Sequence, residues 1–283
     1  ASSLGSGVIV SPNGYLLTSN HVVEGMDEIE VLLADGQTRL KAKIVGSDPE
    51  TDLAVLKVDR ESLPAITLGN LETLHVGDVV LAIGNPFGVG QTVTMGIVSA
   101  LGRRGLNLNT YENFIQTDAS INPGNSGGAL VDASGNLVGI NTAIFSRTGA
   151  GGSLGIGFAI PVSTARSVME QIVAQGAVTR GYIGIQTQEL TPEAAESFKL
   201  GKTLGVLIAG VERNGPAEKA GVKPGDVLVA VNATATPDAP AMLDAVAELK
   251  PGSRATLKLR RDQKELEVQV TVARRPQLPR RPR

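Results

Sequence analysis

The sequence predicts a mostly β protein, in which an all-β unit is followed by a small α+β unit. Composition gives the first indication, because 34 Gly and 15 Pro accompany an aromatic fraction of only 3% and no Trp. Glycine and proline mark turns, and the many Val and Ile residues favour strands. The second indication is a long series of short apolar runs that precedes the first amphipathic helix.

The apolar runs of the first unit are separated by turn signals such as Pro12-Asn-Gly14 and Asp35-Gly36. They cover residues 8–10, 15–18, 29–33, 42–45, 53–58, 79–83, 92–98, 114–116, 129–131 and 137–141. Short strands at this spacing are typical of an antiparallel sandwich or of a pair of β-barrels. The pattern of runs leaves both architectures open.

The first helix is predicted at residues 162–175. Ser163 can cap its start, Gly176 can end it, and Val168, Ile172 and Val173 lie near helical spacing. A helix of this length after so many strands predicts the end of the first unit.

The chain is therefore divided into a first domain at 1–176, a linker at 177–181 and a second domain at 182–274. Strands of the second domain are predicted at 182–185, 206–208, 227–231, 255–259 and 266–272, with helices at 217–220 and 240–249. The basic segment 275–283 is expected to be a disordered tail, with a contact to a membrane or partner as the alternative.

Charge and composition exclude several classes of function. Lys plus Arg total 26 against 28 Asp plus Glu, so the chain has no basic footprint for nucleic acid. Cysteine is absent and only two histidines occur, so neither a thiolate site nor a multi-histidine metal centre is expected. No apolar run of membrane-spanning length is found.

Ser126 is the candidate nucleophile. It lies in Asn122-Pro-Gly-Asn-Ser-Gly-Gly128, and a reactive serine needs a tight turn whose backbone N–H groups converge on the developing oxyanion. The glycines at 124, 127 and 128 permit such a turn. The alternative is a glycine-rich hairpin that contains an unreactive serine.

A base and a carboxylate can be found for this serine. His21 follows an apolar run, whereas His75 lies in a polar, turn-like stretch and is expected on the surface. Asp52 directly precedes the 53–58 run, which favours partial burial, while Asp48 and Glu50 flank Pro49 and are expected to be solvated or capping. The order His, Asp, Ser is that of the chymotrypsin type.

Several motifs together resemble the HtrA/Deg family of serine proteases along nearly the whole chain. They are Thr18-Ser-Asn-His-Val-Val23, Asp48-Pro-Glu-Thr-Asp-Leu-Ala-Val-Leu56, Gly84-Asn-Pro-Phe87, Gln116-Thr-Asp-Ala-Ser-Ile-Asn-Pro-Gly-Asn-Ser-Gly-Gly-Ala-Leu130, Gly157-Phe-Ala-Ile-Pro161 and Gly181-Tyr-Ile-Gly-Ile185. The resemblance implies a chymotrypsin-like double β-barrel followed by one PDZ domain, as in the DegS/AlgW branch.

For function, the resemblance implies a periplasmic homotrimer tethered to the inner membrane by an anchor that precedes these motifs. Such a protease starts an envelope-stress response by cutting a membrane-spanning anti-sigma factor. C-terminal peptides of misfolded outer-membrane proteins would activate it through the PDZ domain. The alternatives are a general quality-control protease and a chaperone with a vestigial site.

The resemblance also assigns roles to single residues. The catalytic residues are His21, Asp52 and Ser126, and the oxyanion hole uses Gly124, Asn125 and Ser126, with no cofactor and no metal. Ile121 and the strand at 141–143 would border a pocket for a small apolar residue before the cut.

The PDZ domain is expected to bind an extended C-terminus. Its candidate peptide-binding residues are Tyr182, Ile183, Gly184, Ile185, Leu243 and Val246, and for Val246 a place in the core is equally open. The candidate regulatory contacts are Phe87, Arg103 and Gln116. Glycine-rich loops at 88–91, 102–110 and 146–155 could move on activation or could be inert surface connections.

Overall fold

The computed structural model describes residues 4–144, 153–197, 205–262 and 264–276. The chain divides after Val178 into two compact units, and each is described by itself. Strands dominate both units, so the mostly β fold class is confirmed. Most of the predicted loop at 146–155 and of the tail at 275–283 lies outside the described residues.

The first half of unit 1 is a five-stranded antiparallel sheet with the order β1-β2-β5-β4-β3. The strands are β1 (Val8–Ile9), β2 (Tyr15–Ser19), β3 (Ile29–Leu32), β4 (Arg39–Asp48) and β5 (Leu53–Val58), and a short helix, α1 (Asn20–Val23), follows β2. In the central pair Ser19 lies opposite Leu53. Residues just beyond these two strand ends are therefore neighbours.

The second half of unit 1 is a closed barrel with the order β10-β11-β8-β7-β6-β9. Its strands are β6 (Val79–Gly84), β7 (Thr92–Arg103), β8 (Phe114–Thr117), β9 (Ala129–Asp132), β10 (Leu137–Ile144) and β11 (Gly157–Pro161). One apolar cluster joins Leu17 and Leu53 of the sheet to Phe114 and Ile140 of the barrel. Because both layers share this core, side chains at their junction are held in a fixed relation.

The predicted helix is confirmed as α2 (Val162–Gln175), which ends at Gly176 with a φ of 78°. Pro161 is the N-cap residue, so the proposed cap at Ser163 is wrong, because α2 starts at Val162, two residues earlier than a Ser163 cap requires. Ile172 is buried, whereas Val173 is exposed, since adjacent helical residues point about 100° apart.

Unit 2 contains a sheet of order β13-β14-β15-β17-β18 with β16 beside β15, and a separate β12-β19 pair. Its strands are β12 (Gly181–Tyr182), β13 (Ile185–Gln188), β14 (Val206–Val211), β15 (Val227–Val231), β16 (Thr234–Ala235), β17 (Arg254–Arg261), β18 (Lys264–Thr271) and β19 (Ala273–Arg274). Its helices are α3 (Pro192–Ser197), α4 (Pro216–Lys219) and α5 (Ala239–Ala247). The sequence predicted α4 and α5 but not α3.

Helix α5 begins at an N-cap carboxylate, because the Asp238 side chain accepts a hydrogen bond from the Ala241 N–H at 2.8 Å. It buries Met242, Ala245 and Val246 in the core of unit 2. Within the described parts of the chain, no helix combines the length and the apolar character that crossing a membrane requires.

Candidate active site

His21 and Asp52 meet because they lie just beyond the paired ends of β2 and β5. The sequence placed His21 at a strand end, and the structure places it in α1, directly after β2. The Asn20 N–H donates to the Asp52 carbonyl oxygen at 3.0 Å, which extends the pairing of the two strands. The side chains then join, with His21 Nδ1 at 2.8 Å from Asp52 Oδ2.

The Asp52 carboxylate is held by three donors. Oδ1 accepts from the backbone N–H of His21 at 2.9 Å, and Oδ2 accepts from the Thr142 hydroxyl at 2.7 Å as well as facing the imidazole. The Asp52 backbone has a φ of 60°, a left-handed conformation that Asp adopts more readily than most residues. The sequence analysis placed the strand at 141–143 beside the substrate pocket, and Thr142 does line the cleft, but it did not predict the hydrogen bond from Thr142 to Asp52.

The contact with Asp52 changes the acidity of the His21 imidazole. Its hydrogen bond to Asp52 raises the pKa of His21 above the ordinary value of 6.5, although partial burial opposes the shift. One half of the side chain is exposed, whereas Asp52 is nearly covered. The imidazole can therefore reach a substrate while its carboxylate partner stays shielded from water.

The turn before Asp52 differs from the prediction. Asp48 and Glu50 are 4% and 9% exposed, so the expectation that they are solvated is wrong. The Thr51 hydroxyl donates to Asp48 Oδ2 at 2.5 Å, and the Thr51 N–H donates to the Asp48 carbonyl oxygen at 3.3 Å, so Asp48 closes the turn. From the opposite side, the Asn109 side-chain amide donates to the Thr51 carbonyl oxygen at 3.1 Å. The turn is buried because another loop packs over it.

Ser126 lies in the turn between β8 and β9, and its hydroxyl shares a cleft with His21. The cleft has a volume of about 240 Å³ and is also lined by Gly124, Ile121 and Thr142. The Ser126 hydroxyl donates to the Thr142 carbonyl oxygen at 3.1 Å. Among the described residues, no hydrogen bond joins this hydroxyl to His21. Ser126 and His21 thus share one cleft without a direct bond.

Gly124 lines this cleft, and the peptide before it is held in one orientation. The Pro123 carbonyl oxygen accepts from the Phe87 N–H at 2.9 Å, and the connecting peptide is trans. In a trans peptide the C=O and N–H groups point in opposite directions, so the Gly124 N–H points away from Phe87. Gly124 has a φ of 101°, and a Cβ there would lie 2.3 Å from the Asn85 carbonyl oxygen. Only glycine fits this turn.

The predicted oxyanion hole contains Gly124, Asn125 and Ser126, and their backbone N–H groups differ in whether they have an acceptor. The Asn125 N–H donates to the Asn122 carbonyl oxygen at 2.9 Å, so it closes the turn. The N–H groups of Gly124 and Ser126 have no acceptor within the part of the chain that the structure describes. Two donors are therefore free to bind an oxyanion, and Asn125 connects them.

The predicted regulatory residues lie close to this turn only in part. Arg103 Nε donates to Gln116 Oε1 at 2.8 Å across the paired strands β7 and β8. Phe87 reaches the turn through its backbone, with a φ of 54°, while the residue as a whole is 61% exposed. The structure thus pairs Arg103 with Gln116, and it places the Phe87 N–H against the turn at residues 122–126, which we call the oxyanion turn.

In unit 2, Ile183 and Gly184 form the loop between β12 and β13, and the carbonyl groups of both residues are occupied. The Ile183 and Gly184 carbonyl oxygens each accept a backbone N–H at 2.9 Å, from Ala217 and Glu212 respectively. The N–H groups of Ile183 and Gly184 have no acceptor among the residues described. This loop can therefore donate hydrogen bonds to a carboxylate.

The side chains predicted to contact a peptide divide into two sets. Ile183 and Val246 are 2% and 6% exposed within the core of unit 2, so neither side chain lines an open surface, and for Val246 the core alternative holds. Ile185 and Leu243 are only partly buried against that core. Burial, followed by a hydrogen bond to Glu212, raises the pKa of the Tyr182 hydroxyl.

Comparison with protein families supports both units. The trypsin-like peptidase domain matches residues 5–140, and the PDZ domain matches residues 181–272. A probable periplasmic DegP-like serine endoprotease of Chlamydia trachomatis is 48% identical over 272 residues, which are 96% of this chain and 54% of the relative. The corresponding protein of Pseudomonas savastanoi pv. phaseolicola is 50% identical over 95% of this chain and 56% of its own length. The chain thus spans about half the length of these relatives.

Solved structures match over a larger share of their length. The HtrA-type protease AlgW bound to a tripeptide is 56% identical, with a TM-score of 0.92 over 98% of this chain and 91% of that one. AlgW with a decapeptide gives a TM-score of 0.90 over 97% and 84%. A serine endoprotease from Yersinia pestis is 44% identical, with a TM-score of 0.80 over 97% and 90%.

Proposed function

Because the chain belongs to the HtrA family of serine proteases, we propose that it is a periplasmic endopeptidase whose catalytic residues are Ser126, His21 and Asp52. The observation that carries the proposal is the Thr142–Asp52–His21 hydrogen-bond network, which ends in the cleft that Ser126 shares. A base held by a buried carboxylate beside a serine is the arrangement that acyl transfer needs.

The reaction starts when the Ser126 hydroxyl turns from the Thr142 carbonyl toward His21. Its oxygen attacks a substrate carbonyl carbon while the proton passes to His21 Nε2. Asp52 keeps the proton on Nδ1 and stabilises the charged imidazole. His21 then protonates the leaving amine, and water hydrolyses the acyl-enzyme through the same base.

The tetrahedral intermediates carry a negative oxygen, which the N–H groups of Gly124 and Ser126 bind. These donors are fixed in the turn before the reaction, so they need no reorganisation as charge develops. In these steps His21 transfers the protons, Asp52 stabilises the charged imidazole, and the N–H groups of Gly124 and Ser126 stabilise the oxyanion.

The substrate residue before the cut is proposed to be small and apolar, such as Val or Ala. Ile121 lines the cleft and is fully buried, and its Cδ1 atom would lie 2.8 Å from a Cβ at Gly157. A branched side chain in this position limits the depth of the pocket. A panel of peptides that differ only at this residue tests the preference through kcat/KM.

Labelling by a fluorophosphonate probe tests the activity itself, because only a serine with a competent base reacts. The parent protein is expected to be labelled and Ser126→Ala is not. Ser134→Ala, in the exposed turn between β9 and β10, is the matched control and is expected to label normally. Absence of label on the parent protein, both alone and with an added C-terminal peptide, would sink the proposal.

Unit 2 is proposed to bind the C-terminus of a peptide and to activate unit 1. The free N–H groups of Ile183 and Gly184 suit a terminal carboxylate, and the partly buried Leu243 suits an apolar side chain. Arg103, Gln116 and Phe87 would then stabilise the active oxyanion turn. In its cellular role, the protein would be a homotrimer, tethered to the inner membrane, that cuts a membrane-spanning anti-sigma factor in response to C-termini of misfolded outer-membrane proteins.

The regulatory proposal is tested by hydrolysis of a periplasmic anti-sigma domain with and without a C-terminal peptide. Addition of the peptide is expected to raise turnover, and deletion of residues 181–283 is expected to remove that response. Turnover that neither the peptide nor the deletion changes would overturn the regulatory role and leave the protease assignment standing.

A general quality-control protease is the second candidate. The Phe87–Pro123 hydrogen bond favours it, because this bond is present without a peptide and leaves the Gly124 N–H free of an acceptor among the described residues. Rapid digestion of unfolded casein without a peptide would support this function over the peptide-dependent one.

A further inference from the structure

Ser6 lies directly against the nucleophile turn, although it is far from that turn in sequence. Its N–H donates to the Ser126 carbonyl oxygen at 2.9 Å, and its hydroxyl donates to the Gly124 carbonyl oxygen at 2.7 Å. The same hydroxyl accepts from the Asn85 N–H at 2.9 Å. The Ser6 hydroxyl therefore acts as a donor to the Gly124 carbonyl and as an acceptor for the Asn85 N–H at the same time.

The packing around Ser6 leaves little freedom. A Cβ at Gly127 would lie 2.3 Å from the Ser6 carbonyl oxygen, and one at Gly128 would lie 3.2 Å from the Ser6 Cβ. The Ser6 carbonyl oxygen also accepts from the Thr18 hydroxyl at 2.7 Å. Ser6 is thus anchored to β2 on one side and touches the glycines of the nucleophile turn on the other.

The oxyanion turn is fixed at two successive peptides. The Phe87 N–H holds the Pro123 carbonyl, and the Ser6 hydroxyl holds the Gly124 carbonyl. These two bonds set the peptide planes on both sides of Gly124, so they set the direction of its N–H. Asn85, which donates to the Ser6 hydroxyl, lies two residues before Phe87 in the loop at 85–90. The Ser6–Gly124 and Phe87–Pro123 hydrogen bonds therefore both depend on this loop.

We propose that Ser6 is a positioning residue for the oxyanion hole, whose hydroxyl couples the 85–90 loop to the Gly124 peptide. The inference rests on the proposed endopeptidase function. Without the hydroxyl, the Gly124 carbonyl loses its donor and the Asn85 N–H loses its acceptor, so the turn can leave the arrangement in which the Gly124 N–H faces the cleft.

If Ser6 positions the oxyanion hole, its replacement should weaken binding of the transition state and leave binding of the substrate unchanged. Substrate binding along the cleft does not use Ser6, so KM should stay constant while kcat falls. A peptide boronic acid forms a tetrahedral adduct with the serine, so its affinity measures the oxyanion hole as well. A merely structural role would lower thermal stability without linking kcat to the boronate Ki.

The experiment compares the parent chain with Ser6→Ala, Thr18→Val and the matched control Ser134→Ala on one fluorogenic peptide. For Ser6→Ala we expect kcat to fall ~10- to 100-fold, less than the ~10²–10³-fold loss of a direct donor, with KM within about twofold. The boronate Ki should rise by the same factor as kcat falls. Thr18→Val should show the same pattern more weakly, and Ser134→Ala should match the parent.

Three results would overturn the inference. They are an unchanged kcat in Ser6→Ala, a lower kcat with an unchanged boronate Ki, and a rise in KM that accounts for the loss. Should Ser6→Ala fail to fold by circular dichroism, Thr18→Val decides by the same criteria. A parent protein that hydrolyses no substrate, either alone or with an added C-terminal peptide, overturns the proposed function, whereas an active parent with an equally active Ser6→Ala overturns only the role of Ser6.

Discussion

Thr142 contacts both Ser126 and Asp52, because its carbonyl oxygen accepts from the Ser126 hydroxyl at 3.1 Å while its own hydroxyl donates to Asp52 at 2.7 Å. Its backbone lies in β10, and its side chain is nearly buried. The barrel thus supplies a donor to a carboxylate that belongs to the five-stranded sheet. These two hydrogen bonds tie the orientation of Asp52 to β10, the strand whose Thr142 carbonyl contacts Ser126.

Replacing Thr142 with Val should reduce kcat/KM by ~10- to 100-fold. The change keeps the shape and the carbonyl but removes the donor to Asp52, and a hydrogen bond to a charged group contributes ~1.5–3 kcal/mol. Steady-state hydrolysis of a fluorogenic peptide gives the ratio. Thr73→Val, at an exposed turn, is the control, and equal activities of the two variants would contradict the role of Thr142.

The pH dependence of kcat/KM should show an acidic limb at an apparent pKa above 6.5. His21 acts as a base only when neutral, and its hydrogen bond to Asp52 raises its pKa. Activity should therefore be present above that pKa and be lost as pH falls through it. In Asp52→Asn the limb should move to lower pH and kcat should drop ~10⁴-fold. A limb in the mutant at the parent position would argue against His21 as the group observed.

Substitution of Gly124 by Ala should abolish activity, because a Cβ would lie 2.3 Å from the Asn85 carbonyl oxygen. Gly135 is the matched control, since its φ of 82° is also positive but nothing lies within 4 Å of a Cβ there. Gly135→Ala should cost only ~1–2 kcal/mol of stability from backbone strain and keep full activity. Fluorophosphonate labelling and thermal unfolding measure the two effects, and a labelled Gly124→Ala would contradict the assigned turn.

Glu112→Gln should destabilise unit 1 by ~1–3 kcal/mol. The nearly buried Glu112 carboxylate accepts the N–H groups of Leu106, Leu108 and Asn109 at 2.7, 2.6 and 3.1 Å. An amide cannot reproduce this, since its NH₂ group would face at least one of the three donors. Denaturant unfolding gives the change, with the exposed Glu72→Gln as control. Equal stabilities would show that the carboxylate does not hold the loop.

Sequence alone predicted what depends on local pattern or on elimination. Helix α2 follows from apolar spacing and Gly176, and His21 was singled out because the chain has only two histidines. The contacts of Thr142 with Asp52 and of Ser6 with Gly124 span 90 and 118 residues, and no local pattern encodes such distances. The face of α5 that turns inward, which buries Val246, likewise depends on packing with strands far along the chain.

In unit 2, Arg261→Met should cost ~3–5 kcal/mol, because it leaves the Asp226 carboxylate buried without its cation. Asp226 is 1% exposed and accepts two hydrogen bonds from Arg261, at 2.6 and 2.7 Å, and one from the Lys223 N–H at 2.8 Å.

The exposed pair of Lys258 and Glu267, 3.5 Å apart on the same sheet, provides the control. Lys258→Met should cost at most ~1 kcal/mol, since water screens such pairs. Hydrogen exchange followed by mass spectrometry locates the effect: amides of β15 and β17 should lose protection in Arg261→Met only. Similar protection in both variants would mean that the buried pair contributes no more than a surface one.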